Sequence, residues 1–260
     1  MGCLQAGTNL NVVRLTYRGG NATARLLRPK TLLKFMRNPL LRSTNVLGAL
    51  FHESAVVTEA DTDRAFYQEI NERLTNSGKP SLVNCLFLNA RNKQTVPQVA
   101  GPLREIGIPA AMIVDIDVLK GGGREWSRLL DAASVPETSR DALNSHRAAV
   151  KRAFEATNMD MKKDGGLCIL ERDARESCNS LFAQLAEYGI FVVPGGEVES
   201  WLPDLGATGH GPEWLIQVFE MMGDNPRDHD YVRPQGDGIW AFMQKIGEWV
   251  QNEDRRGMPE

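Results

Sequence analysis

The fold is decided by one stretch of sequence, AAMIVDID at residues 110–117, an apolar run that ends in two aspartates. An apolar run after the turn residues Gly107-Ile108-Pro109 fits a buried parallel strand covered on both faces. Such strands place functional groups at their carboxyl ends, where Asp115 and Asp117 leave on the same side. Paired carboxylates predict a divalent metal, and the alternative is that Asp117 caps a helix while Asp115 is hydrogen-bonded to a loop.

The same strand pattern recurs on both sides of this stretch. The run AVVTE at residues 55–59 precedes helical spacing, and an apolar run at residues 82–88 precedes a helix through Leu103. A fourth run, at residues 190–194, follows an amphipathic helix over residues 173–188. Alternating strands and helices predict an α/β fold, with a parallel sheet of about four strands flanked by helices.

Three further regions extend this α/β domain, which we place at residues 53–250. The pattern of residues 1–52 predicts an amino-terminal adaptor, in which alternating residues on either side of Gly19-Gly20-Asn21 indicate a β-hairpin. Residues 120–165 have the helical periodicity and many charges of an insertion, and residues 166–170 resemble a short strand. Residues 251–260 are expected to be a loose tail.

Composition and cysteine usage indicate a globular protein of the cytoplasm. Hydrophobic residues make up 42% of the chain and charged residues 24%, which is ordinary for a globular domain. The four cysteines form no Cys-x-x-Cys pair, which suits a reducing compartment. No apolar run approaches the roughly 18 residues of a membrane span, and the first residues lack a signal-peptide core.

Charge is distributed unevenly along the chain. Residues 1–52 carry eight lysines or arginines and no acid, while the rest carries 22 basic and 33 acidic residues. The basic segment is suited to face a polyanion or an acidic partner domain, and the alternative is an ordinary solvated surface.

Carboxylates follow three of the predicted strands. They are Glu59 with Asp61 and Asp63 close behind, Asp115 and Asp117, and Glu197 and Glu199. Because the carboxyl ends of parallel strands share one edge of the sheet, we expect these groups to converge. Hard oxygen ligands in this number favour Mg²⁺ or Mn²⁺ over zinc.

Other catalytic chemistries lack their motifs. The four histidines form no His-Glu-x-x-His pattern or Cys/His cluster, so a zinc site is not expected. The chain has neither the Gly-x-x-x-x-Gly-Lys-Ser/Thr loop of an ATPase nor the Gly-x-Ser-x-Gly elbow of a serine hydrolase.

The motifs Glu59-x-x-x-Asp63 and Asp115-x-Asp117, each placed after a strand, resemble those of a Toprim domain. More closely, residues 45–250, including GEVESWL at 196–202, resemble the nuclease region of the overcoming-lysogenization-defect (OLD) family. The resemblance implies DNA cleavage with two divalent metals, Mg²⁺ or Mn²⁺, and often a role in defence against phage. It also implies two partners, DNA and an ABC-type ATPase whose motif this chain lacks. Whether the protein forms a homo-oligomer stays open.

The resemblance also assigns roles to individual residues. Lys93 matches a lysine that in the family often follows glycine, although Asn92 precedes it here, and Ala60 replaces another usual glycine. A lysine expected near His210-Gly211 is missing. The implied metal ligands, which with Lys93 form the catalytic set, are Glu59, Asp63, Asp115, Asp117 and Glu199.

Two choices between neighbouring acids follow. Thr62 is expected to cap a helix, which favours Asp63 over Asp61 as the functional acid. A helix starting near Glu197 would carry Glu197 and Glu199 about 200° apart, so only one would face the cluster, and the resemblance selects Glu199.

The leading hypothesis is therefore a metal-dependent DNA endonuclease that is coupled to an ATPase. One alternative is a non-catalytic Toprim-like module that docks to an ATPase or to DNA. Another is a phosphatase or nucleotide-processing enzyme, which would turn over small phosphoesters.

Overall fold

The computed structural model describes residues 11–18 and 21–259, which begin with an antiparallel hairpin. Strand β1 (Val12–Arg18) pairs with β2 (Asn21–Leu27), and Val12 lies opposite Leu27. The predicted hairpin is thereby confirmed, while its turn residues Gly19-Gly20 lie outside the described residues, as does Cys3. Two short helices, α1 (Pro29–Arg37) and α2 (Pro39–Ser43), and a 3₁₀ turn lead into the main domain.

A four-stranded parallel sheet forms the centre of the main domain, as the sequence predicts. Its strands are β3 (Ser54–Thr58), β4 (Cys85–Asn89), β5 (Ala110–Val114) and β6 (Ile190–Val192), in the order β4-β3-β5-β6. Helix α3 (Asp61–Asn76) connects β3 to β4, and α4 (Val96–Glu105) connects β4 to β5. All neighbouring pairs are parallel, so all four carboxyl ends lie at one edge.

Alternate residues of each strand pack into separate layers on the two faces of the sheet. Val57 and Met112 belong to a buried cluster that includes residues of α4, whereas Val56 and Ile113 belong to a second cluster that includes residues of α3. Helices α8 (Gly211–Met222) and α9 (Gly238–Gln251) contribute to the second layer. Burial on both faces explains why the strands have continuous apolar runs.

The segment between β5 and β6 is helical, as predicted for the insertion. The insertion, residues 120–165, contains α5 (Arg124–Ala132) and α6 (Glu137–Ala156), and α7 (Arg172–Glu187) is the amphipathic helix expected over residues 173–188. The short strand expected at residues 166–170 is wrong, because Gly166–Ile169 forms a 3₁₀ turn. Gly166 has φ of 58°, and a Cβ there would lie 2.1 Å from the Pro194 carbonyl oxygen, so the backbone turns where it meets the loop after β6.

The described cysteines, Cys85, Cys168 and Cys178, are free thiols. Within residues 11–18 and 21–259, no helix is both long and apolar enough to cross a lipid bilayer.

The carboxyl-terminal residues are held in place rather than forming the expected loose tail. The guanidinium of Arg104 is fully buried, and burial lowers the pKa of Arg104 to about 9. It donates hydrogen bonds to the carbonyl oxygens of Ala110, Tyr188, Gly189 and Gly257. One side chain therefore joins β5, the start of β6 and residue 257.

We expect Arg104→Met to lower the free energy of unfolding by about 3 kcal/mol or more, because buried carbonyl oxygens would lose their donors. Urea unfolding followed by circular dichroism measures this change. Arg256→Met is the matched control, since Arg256 forms an exposed ion pair with Glu187, and its expected cost is below about 1 kcal/mol. Equal losses in both variants would contradict the role given to Arg104.

Candidate metal centre

A direct hydrogen bond joins the acids that follow β3 and β5. The backbone N–H of Asp115 donates to Glu59 Oε1 at 3.0 Å. The two strands are neighbours in the sheet, with Val57 opposite Met112, so their carboxyl ends lie side by side. The convergence expected from the sequence is therefore present for these two residues.

Asp63 joins this cluster from the first turn of α3. Its Oδ2 accepts a hydrogen bond from the Ala60 N–H at 3.1 Å, so the helix begins at Asp61 and Thr62 is not its cap. Asp61 points to solvent, where its side chain is 74% exposed and pairs with Arg64. The geometry brings Asp63, and not Asp61, to the other acids.

Asp117 lies two residues after Asp115, in the 3₁₀ turn Ile116–Leu119, and pairs with Lys93. The Lys93 ammonium lies 2.7 Å from Asp117 Oδ2. The second oxygen, Oδ1, is buried and has no hydrogen-bond partner among the described residues. A buried carboxylate oxygen without a donor is costly, and a cation would relieve that cost.

A second lysine, which no sequence pattern indicates, enters the cluster from the insertion. Lys162 Nζ lies 2.6 Å from Asp115 Oδ2 and 3.4 Å from Glu197 Oε2. No motif marks Lys162 in the sequence. The only local signal is the pair Gly195-Gly196, which allows a close approach of two loops: a Cβ on Gly196 would lie 2.1 Å from the Lys162 carbonyl oxygen.

Glu197 and Glu199 both face the site together with His210. One potential ligand atom from each residue lies within 4.8 Å of those of the other two. The expectation that only one glutamate faces the cluster is wrong, because Glu197 is extended and Val198–Ser200 forms a 3₁₀ turn instead of an α-helix. The backbone N–H of Gly211 donates to Glu199 Oε1 at 2.9 Å, which brings the start of α8 to the same place. His210 had no sequence signal as a ligand.

Burial and mutual repulsion make several of these carboxyl groups hold protons. Burial, followed by the charge of Asp115, raises the pKa of Glu59 to about 8 and that of Asp63 to about 7. Burial also raises the pKa of Asp115 to about 6, although Lys162 acts in the opposite direction. Without a metal, the cluster therefore retains protons close to neutral pH.

The donor set fits a divalent cation. Among the described residues, the group whose potential ligand atoms all lie within 4.8 Å of one another consists of Glu197, Glu199 and His210. Of the predicted ligands only Glu199 belongs to this group; Asp117 lies outside it, although its buried Oδ1 lacks a donor. Two carboxylates and one imidazole are side chains that commonly bind divalent cations. Fold and site together define an α/β protein with a carboxylate-rich candidate metal centre at the carboxyl edge of a parallel sheet.

Comparisons with known proteins gave no match to a family model, to a curated protein or to a solved structure.

The metal-free protein should become less stable as the pH rises. A carboxyl group whose pKa is raised in the folded state contributes stability that is complete below its unfolded pKa and is lost as the pH rises through the folded pKa. For Glu59, that window runs from the ordinary value of 4.5 to about 8. Melting temperatures measured in EDTA across this window should therefore fall.

Glu59→Gln should flatten this decline, because the amide carries no proton to lose. Asp61→Asn, at the exposed acid, should follow the wild-type curve. A melting temperature that rises over the window, or a Glu59→Gln curve that coincides with wild type, would show that Glu59 is not under strain from its neighbours.

Proposed function

We propose that this chain is a divalent-metal-dependent DNA endonuclease of Toprim type. The observation that carries the proposal is the series of contacts that links Glu59, Asp115 and Glu197, which follow three parallel strands, together with Lys93 and Lys162. The proposed ligands of Mg²⁺ or Mn²⁺ are Glu59, Asp63, Asp115, Asp117 and Glu199.

In phosphodiester hydrolysis, the acids of the site would bind the metal and the lysines would compensate negative charge on the phosphate. A bound divalent cation would supply Lewis acidity for the negative charge that develops on the phosphoryl oxygens. Lys93 and Lys162 would bring positive charge toward a phosphate that approaches the edge of the sheet. The layered helices hold the acids in place, so little reorganisation would accompany the reaction.

We further propose an ABC-type ATPase, outside these residues, as the partner, in a cytoplasmic system that includes defence against phage. The sequence resemblance to the OLD family motivates this step. The adaptor adds physical support, because residues 1–52 carry no acid and the hairpin exposes Val13, Leu15 and Leu26. An apolar strip within a basic segment suits a protein or DNA partner better than open solvent.

One observation favours the alternative of a non-catalytic module. Asp115 and Asp117 are each already paired with a lysine, so ion pairs within the chain neutralise part of the cluster. In such a module the acids would be structural, and the protein would act only by docking.

A plasmid-nicking assay tests the proposal. Wild-type protein should nick supercoiled DNA in Mg²⁺ or Mn²⁺ and not in EDTA, and Asp115→Asn should lower the rate by about 100-fold, or about 2.7 kcal/mol in the barrier. Asp61→Asn is the control, because Asp61 is exposed and paired with Arg64.

Absence of nicking in either metal, with and without an added ATPase, would favour the docking module. Turnover of p-nitrophenyl phosphate without plasmid nicking would identify a small-phosphoester hydrolase instead.

A further inference from the structure

Among the ion pairs of the described residues, Lys162 is the residue of the insertion that contacts the acids of the candidate metal centre. We propose that Lys162 is a catalytic residue whose ammonium contacts the phosphate being cleaved, and that it bridges Asp115 and Glu197 only until a metal takes its place. This inference rests on the proposed function, which it deepens by assigning the group that meets the substrate's charge.

The backbone of Lys162 is held from two sides. On one side, its carbonyl packs so closely on Gly196 that a Cβ there would lie 2.1 Å away, and Leu167 N–H donates to the Pro194 carbonyl at 2.8 Å. On the other side, Asp160 Oδ1 accepts the Lys162 N–H at 2.8 Å. The base of the side chain is therefore fixed to the loop that carries Glu197.

The Lys162 side chain itself keeps the freedom to change partners. It is 29% exposed, and its ammonium has three N–H donors on a flexible four-carbon stem. The ammonium forms ion pairs with the carboxylates of Asp115 and Glu197. Because the contacts of the backbone fix only the base of the side chain, the ammonium can reach a neighbouring acceptor without any change of fold.

Competition between cations supplies the reason for that movement. A divalent cation held by Asp115 would take the oxygen that Lys162 now contacts, and two cations repel at such short range. The displaced ammonium would then meet an acceptor that carries its own negative charge, such as a phosphate oxygen.

In hydrolysis a water oxygen bonds to phosphorus and gives up a proton, while the bond between phosphorus and the ester oxygen breaks and the departing oxygen gains a proton.

The two lysines of the site have different surroundings. Lys93 follows β4, at one side of the sheet, and contacts Asp117. Lys162 lies against the loop after β6, at the opposite side. The acids of the central strands therefore lie between two cations, and Lys162 is the one that contacts both a proposed metal ligand, Asp115, and a neighbouring carboxylate, Glu197.

The test compares Lys162→Met and Lys162→Arg with Lys163→Met, whose side chain is exposed and has the same charge. Three quantities are measured: Mn²⁺ affinity by calorimetry without DNA, affinity for a short fluorescein-labelled DNA duplex in Ca²⁺, and the rate of plasmid nicking in Mn²⁺. For Lys162→Met we expect Mn²⁺ to bind about threefold tighter or more, because its competitor is gone. The duplex should bind more weakly and nicking should fall by about 100-fold.

Lys162→Arg should recover part of the nicking rate, and Lys163→Met should match wild type in all three measurements. The inference is overturned if Lys162→Met nicks within about threefold of wild type. It is also overturned if Lys162→Met binds Mn²⁺ more weakly, since the lysine would then be a structural tether.

Failure of the proposed function has a different signature. If wild-type protein does not nick DNA in any metal, the nuclease assignment fails, and Lys162 is judged from the two binding measurements. Tighter Mn²⁺ binding with weaker duplex binding in Lys162→Met would still support the phosphate contact, whereas no change in either would overturn it.

Discussion

The hydrogen bond from the Asp115 N–H to Glu59 Oε1 is the interaction on which the arrangement of the site depends. It forms because β3 and β5 are neighbours whose parallel register places Val57 opposite Met112. A shift of one residue would turn alternate side chains to the opposite face of the sheet and separate the two acids. The register is secured by the core, since both strands are buried on both faces.

That core stabilises a group of charges that repel one another. Glu59, Asp63 and Asp115 have raised pKa values because burial and mutual repulsion both oppose ionisation. Lys93 and Lys162 offset part of this repulsion by direct contact with carboxylates. A ligand that brings positive charge would relieve this repulsion, and proteins tolerate such strain at functional sites.

The sequence predicts those parts of the structure that depend on local pattern. The parallel sheet follows from apolar runs between helical segments, and the convergence of Glu59 and Asp115 follows from their position after neighbouring strands. The two glutamates after β6 were harder to predict, since the loop is extended at Glu197 and makes a single 3₁₀ turn. Helical periodicity carries no information about side-chain direction in such a loop.

Lys162 shows why the remainder of the site could not be predicted from sequence. Its position depends on a contact between two loops far apart in sequence, which Gly166 and Gly196 allow by leaving no Cβ between the backbones. These glycines indicate a close approach but do not identify the partner. The same contact holds the insertion against the loop after β6. Local unfolding of residues 160–166 would therefore remove Lys162 from the site and leave Asp115 and Glu197 without the cation they share. The charge balance of the site is therefore set by the packing of the insertion as well as by the sheet.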